Sequence, residues 1–162
     1  MGAVENAGLV YEDGKLENIV HKEGQVVWLQ FWATWCPPCQ PPMARNQKIL
    51  EKRKDEWGDK VRIIGLSIDK SPEIVKAHCE KNGWPLPEQY HVRNGKCESD
   101  KEYGLTGVPH AAMIDKAGKI VFIGHPASRP NLEQDIDDLL NDKPITGDGT
   151  KQGGMGEDDP TA

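Results

Sequence analysis

Nowhere in its 162 residues does this chain run apolar for long. The longest such stretch, Val26 to Ala33, is interrupted by Gln30, and it falls far short of the roughly 18 residues a membrane span requires. No spanning helix is expected. Clustered Lys and Arg are equally absent, and the net charge is −6, so nucleic acid is excluded as the expected partner, because phosphate binding depends on basic clusters. Half of that charge lies after Pro144, where Asp148, Glu157, Asp158 and Asp159 face Lys151 alone. The N-terminal MGAVENAG has no basic or apolar region of a leader, and Asn6 stands where a myristoylation signal needs Ser or Thr. The expected location is cytoplasmic, or extracytoplasmic if a leader was removed.

Cysteine is scarce too. Four cysteines are too few for a disulfide scaffold at this length. They fall as one close pair, Cys36 and Cys39, with Cys79 and Cys97 far apart. Zinc needs two further ligands at suitable spacing, and Cys79, Cys97, His78 and His91 do not supply them. No metal site is expected, and Cys79 and Cys97 read as ordinary thiols, with a regulatory bridge or glutathione adduct as the alternative.

What remains is a single domain's worth of alternating elements. Leu9 to Tyr11 and Leu16 to Val20 flank Glu12-Asp13-Gly14 as a short hairpin or irregular entry, so residues 1–19 form an N-terminal extension. Val26 to Trp32 is dense in β-branched and aromatic residues, the composition of a strand buried on both faces. Met43, Leu50 and Trp57 mark an amphipathic helix closed by Gly58. Pro41 and Pro42 at its start argue for a kink or a late beginning. Val61 to Ile68 is a second buried strand, and Asp69-Lys70-Ser71-Pro72 opens a helix that Gly83 ends.

Gln89 to Val92 suits a short strand, Asn94-Gly95 a turn and Cys97 to Tyr103 a short helix. Ala111 to Asp115 and Lys119 to Gly124 form a hairpin, followed by a helix over Asn131 to Leu140. Residues 20–142 thus make one α/β domain, and 143–162, rich in Gly and acid, are expected to be disordered.

The close thiol pair, TWCPPCQ, follows a strand and opens a helix. Unpaired N–H groups and the positive end of the helix dipole favour a thiolate there, which assigns Cys36 as nucleophile. A second thiol one turn later displaces a partner from the mixed disulfide, which assigns Cys39 as the resolving residue. Pro37 and Pro38 remove two amide donors and so tune the thiolate. A buried structural CxxC is the bland alternative.

FWATWCPPC, with GVPH ahead of an apolar hairpin, resembles the thioredoxin superfamily, specifically its TlpA/ResA-like and nucleoredoxin/tryparedoxin-like branches. The resemblance implies a central mixed sheet flanked by helices on both faces. It also implies a monomeric thiol–disulfide oxidoreductase of cell redox homeostasis that reduces protein disulfides with no bound cofactor beyond the Cys36–Cys39 disulfide. Its partners would be disulfide-containing clients and an upstream thiol reductase. A non-catalytic adaptor and an extracytoplasmic oxidase or isomerase are the alternatives.

By the same resemblance Pro109 is a cis-proline facing the thiols, Val108 offers its backbone to an extended substrate, and Trp35, Pro37, Gly124 and His125 complete a shallow groove. The bland alternative is that Val108-Pro109 simply begins an edge strand. Trp32 reads as core. The family's buried Asp before the first cysteine and its Lys partner are replaced here by Gln30 and Gly65. Since Gln30 cannot accept a proton, Gln30, Pro38 and His110 are candidate modulators of the thiols, with His125 or a bound water as further proton acceptors.

Overall fold

The computed structural model describes residues 9–11, 16–17, 22–84, 88–92 and 107–145. Strand β1 spans Leu9–Tyr11, β2 Leu16–Glu17, β3 Val26–Trp32, β4 Val61–Ser67, β5 Gln89–Val92, β6 His110–Ile114 and β7 Ile120–Gly124. Helix α1 covers Gln40–Trp57, α2 Pro72–Asn82 and α3 Leu132–Leu140. The strands form one sheet in the order β2-β1-β5-β4-β3-β6-β7. β3, β4 and β5 run parallel, and the remaining pairings are antiparallel. This is a thioredoxin-like α/β fold with a mixed sheet.

Composition explains the centre. All seven residues of β3 are buried, as a strand with neighbours on both edges and layers on both faces demands. Alternation splits its side chains: Val26 and Trp28 pack with Ile49, Trp57, Phe122 and Ile136, while Val27, Leu29 and Phe31 pack with Ile64, Leu66, Tyr90 and Ile114. The three described helices pack on the Trp28 face: Trp57 of α1 and Ile136 of α3 join Trp28's cluster, and Val75 of α2 joins that of Trp32. The helix expected over Cys97–Tyr103 lies outside the described residues, as do the Asn94-Gly95 turn, Cys97 and everything after Ile145.

Local punctuation sets the bounds. Gly83 caps α2 in the left-handed region with φ 69°, where a Cβ is penalised. Asp115 closes the β6–β7 turn, its Oδ1 accepting from the amides of Ala117 and Lys119 at 3.0 and 2.9 Å. Arg53 of α1 bonds Glu133 and Asp137 of α3, each at 2.8 Å, and fixes the two helices against one another. Because β3, β4 and β5 are parallel, their carboxyl ends share one edge of the sheet, the place where open α/β sheets bind ligands. Both cysteines of the CPPC stretch lie just beyond β3 on that edge.

Candidate active site

Cys36 leaves the end of β3 in extended backbone, φ −101° and ψ 104°, and caps a 3-10 turn over Pro37–Cys39. The α-helix follows from Gln40, with Pro41 and Pro42 in its first turn. The late start offered as one alternative is not found: α geometry begins at Gln40, ahead of both prolines. Neither proline loses a bond there, since the first amides of a helix have no intrahelical acceptor.

Cys36 and Cys39 are joined as a disulfide, their Cα atoms 5.4 Å apart. The pair is unequally covered, with Cys36 4% and Cys39 0% exposed. Beside them Trp35 is 65% exposed, a large indole facing solvent where most such rings are buried. Pro37 and Pro38 are also exposed.

The Val108–Pro109 peptide bond is cis. Val108, half-buried, packs against the cluster containing Cys36 and Cys39 and also against the Phe31 cluster on the other side of the sheet, so it joins the thiol loop to the core. Pro109 and His110 are half-buried beside it.

The other candidates occupy different surroundings. His110 begins β6 opposite Phe31, ring centroids 6.4 Å apart. His125 is exposed, and its Nδ1 accepts from the amide of Ala127 at 3.0 Å, capping a turn over Pro126–Ser128. Gly124 is half-buried at the end of β7, where an added Cβ would stand 3.2 Å from Phe122 Cζ. Gln30 is fully buried, and its Oε1 accepts from Trp28 Nε1 at 3.1 Å and Asn46 Nδ2 at 2.7 Å.

Gly65, paired with Gln30 across β3 and β4, leaves room for another side chain. A Cβ on it would lie 2.6 Å from Gln89 Oε1. Gln89 fills that space and accepts from Trp32 Nε1 at 2.9 Å. Neutral amides thus stand on the sheet face where the family's ion pair was missed.

Asp69 was read from sequence only as part of a helix start. Ser71 is the capping residue of α2 and makes no side-chain capping bond. The Asp69 carboxylate, 2% exposed, instead accepts from Thr34 N at 3.0 Å, Thr34 Oγ1 at 2.6 Å and Ser67 Oγ. It ties the loop preceding Cys36 to the end of β4. The signal available was an acid two residues past Ser67 at the close of a buried strand.

Asp69→Ala strands three donors and should cost about 3 kcal/mol, since bonds to a charged acceptor are worth about 1.5–3 kcal/mol each and the losses overlap. Urea denaturation checks this, and an unchanged midpoint would remove Asp69 from the account of the loop.

Among the described residues no group of three or more His, Cys, Asp and Glu is arranged to hold a metal ion, and no helix is long and apolar enough to cross a membrane. The chemistry on offer is sulfur chemistry: two cysteines that close a bond, with an exposed indole beside them.

Comparison with known proteins agrees with that chemistry. The family profile described as Redoxin matches residues 3–140. The chain is similar to the thiol-disulfide oxidoreductase ResA of Bacillus thuringiensis subsp. konkukian, 31% identical over 109 residues, covering 67% of this chain and 60% of that one. It is also similar to nucleoredoxin of Homo sapiens, 30% identical over 99 residues, covering 61% of this chain and 22% of that protein. The chain therefore spans about 60% of the length of the ResA relatives it matches. A thioredoxin-like protein from Porphyromonas gingivalis has the same fold, with a TM-score of 0.68 at 23% identity over 91% of this chain and 97% of its own.

Proposed function

The chain belongs to the Redoxin family, in the ResA-like branch of the thioredoxin superfamily, and from that footing we propose that it reduces disulfides in client proteins through Cys36 and Cys39. The observation that carries this reading is the Cys36–Cys39 bond at the head of α1, beside the exposed Trp35. The Cys36–Cys39 disulfide is the oxidised end of the proposed cycle.

Two electrons delivered by an upstream thiol reductase convert that bond to a dithiol. The Cys36 thiolate, favoured by the helix dipole, attacks one sulfur of a client disulfide. The client S–S bond breaks, a Cys36–client bond forms, and one client thiol is released after taking up a proton. Cys39, deprotonated, then attacks the Cys36 sulfur. The mixed disulfide breaks, the second client thiol leaves, and Cys36–Cys39 is restored. Overall the client gains two electrons and two protons. The disulfide is the only redox group this cycle needs.

In this reading Trp35, Pro37, Val108, Gly124 and His125 border the client groove, with the Val108 backbone pairing an extended segment ahead of Pro109. Gln30 accepts hydrogen bonds with its oxygen and takes no proton, so it serves as a neutral floor; Pro38 acts by lacking an amide. His110 and His125 are the side chains proposed to take the Cys39 proton, directly or through water. A reducing role suits a cytoplasmic setting.

The midpoint potential of the pair tests the direction of transfer. A value near thioredoxin's, about −270 mV, with catalysed reduction of insulin, is the expected result. A value near that of strong oxidants, about −120 mV, reverses the proposed direction, and failure to reduce insulin at all favours a binding adaptor.

A further inference from the structure

The redox turn is short of backbone donors. Four of the six residues from Pro37 to Pro42 are prolines, and proline has no N–H. Cys39 and Gln40 alone keep amides in that run: Cys39 N–H donates to the Cys36 carbonyl at 3.1 Å, and Gln40 N–H donates to the Pro37 carbonyl.

The Gln40 side chain supplies what the prolines lack. Its Nε2 donates to the Cys36 carbonyl at 2.7 Å and to the Ala33 carbonyl at 3.3 Å. One NH2 group thereby straddles the turn on which Cys36 sits. A carboxamide can rotate or flip unless its oxygen is held, and here it is held: Gln40 Oε1 lies 2.7 Å from His78 Nε2 on α2. A carboxamide oxygen only accepts, so Nε2 of His78 carries the proton and donates.

His78 is fixed in turn. Its ring centroid is 5.8 Å from that of the fully buried Trp32 and 5.6 Å from that of Trp84. The chain of contacts runs from two indoles through an imidazole and an amide to the carbonyl of the nucleophilic cysteine.

We infer that Gln40 and His78 are positioning residues of the redox turn, holding Cys36 in ring-closing geometry in place of the amides that the prolines remove. The inference rests on the dithiol reading above. A turn already held in that geometry loses less freedom when the S–S bond forms, so the clamp favours the disulfide over the dithiol. His78 acts only through Gln40, so the two effects share one bond and do not add.

The test is equilibration of the full chain with glutathione, in which two glutathione thiols become one disulfide as Cys36–Cys39 is reduced. Gln40→Ala is expected to lower the equilibrium constant for closing Cys36–Cys39 about tenfold, equivalent to a potential about 30 mV less negative. His78→Phe, which keeps a ring between the indoles and loses the donor, should shift it in the same direction by threefold or more. The double variant should match Gln40→Ala alone, and His78→Gln, which restores an N–H donor, should return toward wild type.

An equilibrium within twofold of wild type in Gln40→Ala overturns the inference, even with a lowered unfolding temperature, because it leaves the pair a merely structural role. Additive shifts in the double variant overturn the coupling of His78 through Gln40. Failure of the functional reading looks different: wild type fails to reduce insulin while its glutathione equilibrium remains measurable and dependent on the clamp.

Discussion

Cys36→Ser is expected to bring insulin reduction down to the rate of dithiothreitol alone, whereas Cys39→Ser is expected to stop after one covalent step with a client attached. The asymmetry follows from position. Cys36 caps the turn in extended backbone, next to the exposed indole of Trp35. Cys39 is sealed at 0% exposure, its amide bonded back to the Cys36 carbonyl at 3.1 Å. A client sulfur approaching from solvent therefore meets Cys36 first, and Cys39 reaches only a bond already made on Cys36.

Without the second thiol the mixed disulfide has no intramolecular exit, so it accumulates. Mass spectrometry of Cys39→Ser incubated with an oxidised client under non-reducing conditions should find a one-to-one adduct that dithiothreitol releases. Cys36→Ser should give none. Equal trapping by both variants would mean that either sulfur meets the client, and the assigned order of attack would be wrong.

The parts of the chain that could be read directly are those whose cause is local. β3 follows from an unbroken β-branched and aromatic run, and its bounds match the expected ones, Val26 and Trp32. α2 follows from Pro72 at its first position and Gly83 at its end. The cysteine pair was visible because both sulfurs lie within one turn of chain. What escaped depends on residues that only the fold brings together.

The absence of the family's Asp and Lys could be seen at Gln30 and Gly65, but not what stands there. Gln30 meets Asn46 because α1 crosses β3, and the space over Gly65 is taken by Gln89 because β5 pairs with β4 in the register Gly65↔Gln89. Asp69 was assigned to helix capping because Ser-Pro follows it so closely. Its bonds to Thr34, 35 positions earlier, need the parallel pairing of β3 and β4. His125 carries the opposite lesson: its Nδ1 is used two residues away, by the amide of Ala127, a cap that composition alone does not announce.

The second large effect is on stability, and it sets two tryptophans seven positions apart against each other. Trp28 is fully buried, its ring stacked on Phe122 with centroids 5.9 Å apart and planes 8° from parallel. Its Nε1 donates to Gln30 Oε1 at 3.1 Å, and the Arg45 guanidinium lies 5.9 Å from the ring centroid. Trp28→Ala removes the ring and leaves a cavity at the centre of the sheet, a loss of about 3–5 kcal/mol. That is a large part of the roughly 5–15 kcal/mol that holds a domain folded.

Trp28→Phe keeps most of the stacked area and forfeits the donated bond, so about 1–2 kcal/mol is expected. Trp35→Ala, at a position 65% exposed, should change stability by no more than about 0.5 kcal/mol and should act instead on the rate of client reduction, because that ring borders the proposed groove. Urea denaturation read by circular dichroism gives the order Trp28→Ala, Trp28→Phe, Trp35→Ala from most to least destabilised. If Trp35→Ala proved as destabilising as Trp28→Ala, the exposed indole would be holding the fold together, and its place at the rim of a client groove would need another explanation.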